Sequence, residues 1–210
     1  MADTRTIVMT GAADGAAAAA LRRIAVDPAS RLIVGARHPA PTIPAGIDTI
    51  PLDLTRCASV HAFAETVTRR LGRTPIDALV LAAGTGPQHT HTCLDDTEPG
   101  HLAHHFLARL LAPHLADNAR VILLTGVAPG NPHWTARLRA HAASRLRSLL
   151  PATVTGPAAT GGSGITVLAY HPASTGGRRA GKALAHLATA NPPDRATRDR
   201  RKDLRNRHGH

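Results

Sequence analysis

Residues Thr6 to Ala20 read TIVMTGAADGAAAAA, and the fold turns on this stretch. Thr6 to Met9 are β-branched or apolar and carry no charge, the composition of a short buried strand. Gly11 and Gly15 follow, then alanines leading into Leu21. The order is strand, tight glycine turn, helix. A helix N-terminus presents unsatisfied N–H groups and the positive end of a dipole, so it can hold a pyrophosphate. Gly11 permits the turn, and Gly15 lets the backbone approach the phosphates. Ala16 to Ala20 predict a smooth helix face that sits tightly on a sheet. The pattern gains meaning from a ribose-reading residue about twenty positions on.

The remainder of the chain alternates in the same way. Arg31 to Gly35 (RLIVG), Ile47 to Leu52 (IDTIPL), Ile76 to Ala82 (IDALVLA), Arg120 to Leu124 (RVILL) and Ile165 to Tyr170 (ITVLAY) read as further strands. Ser59 to Leu71 is helical, with Val60, Phe63, Ala64 and Val67 on one face. Gly100 to Leu115 is helical, with Leu102, Phe106, Leu107, Leu110 and Leu111 inward. Asn131-Pro132 is a good helix start, and that helix runs to about Leu150. Residues 151–164 form a Gly/Pro/Thr loop, and Arg178 to Ala190 is helical. Strict alternation predicts βαβ units and a doubly wound parallel α/β sheet. We expect six strands in the order 3-2-1-4-5-6, no seventh strand, and ligands at the carboxyl ends.

At 210 residues, with 43% hydrophobic residues and only 2% aromatic, the chain fits one globular domain with an Ala/Leu/Val/Ile core. We place that domain at residues 1–190 and read 191–210, polar and arginine-rich, as a flexible basic tail. The net charge of +11 comes almost wholly from arginine, since Lys182 and Lys202 are the lysines. Because arginine is enriched along the whole chain, the charge is weak support for nucleic-acid binding, and a solvated tail is expected. Two cysteines, Cys57 and Cys93, do not make a disulfide framework. The N-terminus lacks the basic flank and apolar run of a signal peptide, and no apolar run spans a bilayer. A soluble cytoplasmic protein without membrane partners is expected.

These residues resemble the short-chain dehydrogenase/reductase family, and more narrowly its retinol-dehydrogenase and protochlorophyllide-reductase-like branch. The resemblance covers about Thr6 to Thr175. Thr10-Gly11, Gly15 and Ala17 match its TGxxxGxG turn, with alanine for the third glycine. Asp53-Leu54 matches the pair that receives the adenine. Leu81-Ala82-Ala83-Gly84 stands where the family has NNAG. His101 to His104 and Leu110 to Leu115 resemble its NHLxHF…LLxPxL helix, and Ile165 to Pro172 its GVTVxxxxPG strand and turn. The resemblance implies a nicotinamide cofactor held by Thr10, Gly11, Asp14 and Gly15 at the phosphates. It adds Asp53 and Leu54 at the adenine, and Ala83, Gly84 and Pro172 at the other strand ends. The second strand ends in Gly35-Ala36-Arg37-His38. A carboxylate there would bind both ribose hydroxyls of NAD, whereas arginine pairs with the 2′-phosphate of NADP, so Arg37 favours NADP(H).

The resemblance breaks at the chemistry. The family uses Asn, Ser, Tyr and Lys. Here the Asn position is Gly100 and the Ser position is Gly126. Tyr170 ends the sixth strand and cannot serve, and the YxxSK stretch falls on His133 to Arg137. Loss of a positioned proton donor removes a factor of about 10² to 10⁴. The replacement candidates are His133 as acid or base, Arg137 one turn later, and Thr125 as a hydroxyl. The expectation is an atypical family enzyme acting on a small organic, biosynthetic substrate, by oxidoreduction or by isomerisation, cyclisation or dehydration. The alternative is a catalytically silent subunit that pairs with an active relative; a homodimer or such a heteromer is expected through the family's long helices. His89, His91, Cys93, His101, His104 and His105 have metal-ligand chemistry, but two of them match the metal-free family helix, and no metal is expected.

Overall fold

A computed structural model describes residues 4–11, 15–38, 43–82, 102–124, 165–170 and 177–190. Strand β1 (Arg5–Thr10) leads into helix α1 (Gly15–Ala25), and β2 (Ser30–Ala36) and β3 (Asp48–Pro51) follow. Helix α2 (Cys57–Leu71), β4 (Ile76–Leu81), α3 (Leu102–Leu111), β5 (Leu115–Leu124), β6 (Thr166–Tyr170) and α4 (Gly177–Thr189) complete the fold. The six strands form one parallel sheet in the order β3-β2-β1-β4-β5-β6. This is the predicted doubly wound α/β arrangement, and strand order reverses between β1 and β4. No helix among the described residues is long and apolar enough to cross a membrane.

Among the described residues each face of the sheet is covered by two helices, because strands buried on both sides alternate their side chains between two cores. Ile7, Met9, Leu32 and Val34 face α1 and α4. Val8, Ile33, Leu79 and Leu81 face α2 and α3. On the second face Val60, Phe63, Ala64 and Val67 are buried as the helical spacing predicted. Cys57, the first residue of α2, is disulfide-bonded.

The alanine run sits on the sheet as expected, with Ala17 and Ala20 in the core beside Ile7 and Met9. Ala16 to Ala20 are all buried, and α4 approaches so closely that a Cβ at Gly181 would lie 2.4 Å from Ala19 Cβ. Three expectations need correction. Helix α3 ends at Leu111 rather than Leu115, because Pro113 cannot donate to the helical ladder; Ala112–His114 tighten into a 3₁₀ turn. On α3, Phe106 and Leu110 are only partly buried, while Ala103, His104, His105, Leu107, Ala108 and Leu111 face inward. Strand β5 also begins earlier than expected. Leu115 pairs with Ile76 of β4, the register then shifts between Ile76 and Ala78, and Ala116 to Ala119 bulge before the predicted RVILL segment pairs regularly. The helix expected at 131–150, the loop at 151–164 and the tail at 191–210 lie outside the described residues.

Candidate functional site: a crevice at the strand-order switch

The crevice is framed by the carboxyl ends of β1, β2 and β4. Thr10 ends β1, and its register partners are Gly35 on β2 and Leu81 on β4. Gly11 follows with φ +66° and donates its N–H to the Gly35 carbonyl at 3.0 Å. Gly15 opens α1 at φ +60°, and a Cβ there would meet no heavy atom within 4 Å. Two glycines in the left-handed region therefore bend the chain, and there is room beside the first residue of α1. Helix α1 has no acidic side chain in its first turn to occupy that end.

Thr10 is fully buried and joins β1 to β4 beyond the last strand pair. The Ala82 N–H lies 3.1 Å from Thr10 Oγ1 and 3.2 Å from the Thr10 carbonyl, a forked contact at the point of reversal. The His104 ring approaches the same hydroxyl from α3, with Nε2 at 3.4 Å, and is 1% exposed.

At the other edge of the crevice, Arg37 and Asp53 come together from the ends of β2 and β3. Arg37 Nη2 lies 2.9 Å from Asp53 Oδ1. The carboxylate is fixed from its own loop: Oδ1 accepts the Thr55 hydroxyl at 2.7 Å and the Thr55 N–H at 3.0 Å, and the Asp53 N–H donates to Ser59 Oγ at 2.9 Å. Burial opposes ionisation of Asp53, but the Thr55 hydroxyl, the Thr55 amide and the Arg37 guanidinium together hold the carboxyl below its usual range. The Arg37 side chain is 46% exposed, so a guanidinium with five N–H donors faces the solvent beside the crevice. Leu54 is partly buried against the α2/α3 core.

Of the predicted cofactor residues, Thr10, Gly11, Gly15, Arg37, Asp53 and Leu54 stand at the strand ends and turns that frame this crevice. Asp14, Ala83, Gly84 and Pro172 lie outside the described residues, as do Thr125, His133 and Arg137. Among the described residues no group of three metal-ligating side chains assembles. Sequence reading missed three contributors. Thr55 and Ser59 immobilise Asp53, and the D-x-T spacing, which suits a side-chain-to-backbone turn, could have indicated the first. His104 was read as part of a motif; its place among apolar residues on the inner face of α3 was the available clue.

No protein-family model matches the chain. A short-chain dehydrogenase/reductase of Pestalotiopsis microspora is 29% identical over 140 residues, which are 58% of this chain and 48% of that protein. The chain thus spans about half the length of this curated relative. A carbonyl reductase from Pseudomonas aeruginosa PAO1 superposes with TM-score 0.60 at 21% identity, covering 87% of this chain and 90% of that one. A metagenomic short-chain oxidoreductase, solved in complex with NADP, superposes with TM-score 0.55 at 21% identity, covering 91% and 93%. At such identity these structures speak for the fold. They show that the chain has the doubly wound α/β fold of these reductases, and its sequence is similar over 140 residues to a short-chain dehydrogenase/reductase.

Proposed function

We propose that the protein is an NADP(H)-binding oxidoreductase of the retinol-dehydrogenase-like branch, acting with non-standard catalytic residues on a small organic, biosynthetic substrate. One observation carries the coenzyme choice: a half-exposed arginine, Arg37, is held at the end of β2, where a carboxylate would select NAD. The described residues fit a dinucleotide. Open space at Gly15 and the free start of α1 suit the pyrophosphate, Asp53 and Leu54 suit the adenine, and Arg37 suits a 2′-phosphate. Such a coenzyme supplies or accepts a hydride at its nicotinamide.

The protein's own part at the reacting end falls to His133, Arg137 and Thr125. His133 would exchange the proton, because imidazole titrates near neutrality. Arg137 at one helical turn's spacing would hold it neutral or bind an anion, and Thr125 would hold the substrate oxygen. Reduction or oxidation competes here with isomerisation, cyclisation or dehydration. A homodimer through the family's long helices belongs to the same proposal. So does a cytoplasmic setting, which rests on the sequence reading and against which the Cys57 disulfide counts.

The test is fluorescence titration with NADPH and NADH. Arg37→Ala is expected to weaken NADPH binding on the order of tenfold to a hundredfold, the worth of charge-assisted hydrogen bonds, and to leave NADH nearly unchanged. Equal losses for both coenzymes, or none, would refute the assignment. Turnover untouched in His133→Ala would remove that residue from the mechanism. A second reading, a catalytically silent subunit paired with an active relative, is favoured by Gly100, Gly126, His133 and Arg137 standing where the family has its catalytic side chains. Turnover by the purified protein alone excludes it.

A further inference from the structure

Arg37 and Asp53 meet at the rim because the β2–β3 ladder runs one residue beyond its last strand pair. Ala36 is paired with Pro51, and the Leu52 N–H donates to the Ala36 carbonyl at 3.0 Å. The backbone brings the two residues side by side, but it does not fix where a long arginine side chain ends. That is done from the Asp53 side. Asp53 is held at its amide, its carbonyl and its carboxylate. The amide donates to Ser59 Oγ at 2.9 Å, and the carbonyl accepts the Arg56 N–H at 3.2 Å. Oδ1 accepts the Thr55 hydroxyl at 2.7 Å and the Thr55 N–H at 3.0 Å. The same Oδ1 receives Arg37 Nη2 at 2.9 Å. The pair is made through Nη2 alone, so Nη1 and Nε take no part in it, and the arginine side chain is 46% exposed. An ion pair this exposed adds little stability. Its effect is on position: an arginine held in advance has less rotamer freedom to lose when an anion arrives.

We propose that Thr55 is a positioning residue for coenzyme choice: its hydroxyl fixes the Asp53 carboxylate, which in turn holds the Arg37 guanidinium at the rim with Nη1 and Nε left for a phosphate monoester on the ribose. Asp53 itself acts in two opposed ways, because its charge repels a phosphate while its hold on Arg37 helps to bind one. Thr55 carries no charge, so its contribution is one of position. The link to the coenzyme rests on the reading given under Proposed function; the chain of contacts from Thr55 through Asp53 to Arg37 does not.

The experiment is titration of Thr55→Val with NADPH and with NADH, together with NMR on the intact protein labelled at the arginine side-chain nitrogens. Thr55→Val keeps the branched shape and the Asp53 charge and removes the hydroxyl. The preference for NADPH over NADH is expected to fall on the order of threefold to tenfold, the worth of holding one flexible side chain in advance. A loss through the fold or at the adenine is common to both coenzymes and cancels in that ratio. Thr55→Ser, which keeps a hydroxyl, should restore most of the preference. In an Arg37→Ala background, Thr55→Val should leave the ratio unchanged. The Arg37 guanidinium should rotate more slowly in the wild type than in Thr55→Val. An unchanged or raised ratio in Thr55→Val, or a fall that persists without Arg37, would overturn the proposal. A wild-type Arg37 guanidinium that rotates as fast as free arginine would overturn it too, even if a variant fails to fold. If the wild type binds neither coenzyme, the coenzyme reading fails, while the Arg37 signals of wild type and Thr55→Val still decide the hold on Arg37.

Discussion

On the two faces of the sheet, the helices approach each other by opposite means. On the α1/α4 face, Ala16 to Ala20, Ala180, Ala185 and Ala188 are all buried, and the helices come so close that a Cβ at Gly181 would collide with Ala19. On the α2/α3 face the filling is large: Val60, Phe63, Val67, Leu71, Leu107 and Leu111. Small residues give little area to bury but fix distance, because backbone rests on backbone. Large residues supply most of the hydrophobic driving force and tolerate repacking. The helix whose N-terminus forms the proposed phosphate cradle is on the small-residue face, where close packing would hold its amides in place. The bulky face reaches the cradle through His104.

The comparison can be broken at three depths. Phe63→Ala should have the largest effect, about 3–5 kcal/mol of unfolding free energy in denaturant titration, since Phe63 is fully buried against Gly35 and the α2 core. The folded fraction should keep its coenzyme affinity. Gly181→Ala should cost about 2 kcal/mol, because the new Cβ would lie 2.4 Å from Ala19 Cβ and 2.9 Å from the Ala19 carbonyl carbon. The usual gain of about 1 kcal/mol for Gly→Ala in a helix only partly offsets this strain. Unlike Phe63→Ala, it should also weaken coenzyme binding by the folded protein, because α1 must shift. If the two variants behave alike, the division of labour between the faces is wrong.

The smallest effect is expected at the rim. The folded carboxyl of Asp53 is held below the value it has in the unfolded chain. Its contribution to stability is therefore present above the ordinary carboxylate range and lost as pH falls through the folded value. Asp53→Asn should cost at most about 1 kcal/mol at neutral pH, given the exposure of the Arg37–Asp53 pair. The difference from wild type should shrink as the pH is lowered through the acid range. A difference that grows on acidification would contradict the assignment.

Much of this was legible in the chain. The strand order followed from the alternation of apolar runs with helical stretches, and Gly11 and Gly15 marked the turn because only glycine reaches positive φ without strain. Arg37 and Asp53 were each found by position at a strand end. Their ion pair was not, because it joins residues from adjacent strands whose approach is set by register. The role of the alanine run was half read: spacing shows a smooth face but not that Gly181, about 160 residues later, closes on it. The apolar face of its helix pointed to His104 being buried, but nothing local named the distant threonine that it approaches. The proposed catalytic trio of Thr125, His133 and Arg137 lies outside the described residues and stands on alignment to a motif it does not match.

The central claim is that the crevice between β1 and β4 takes a nicotinamide dinucleotide and prefers the one with a 2′-phosphate. Calorimetric titration of the wild-type protein with NADP⁺ and with NAD⁺ tests it most directly. The account predicts one-to-one binding of both, with NADP⁺ the tighter by on the order of tenfold or more and that advantage shrinking as salt rises. No heat of binding with either coenzyme, or tighter binding of NAD⁺, would contradict it.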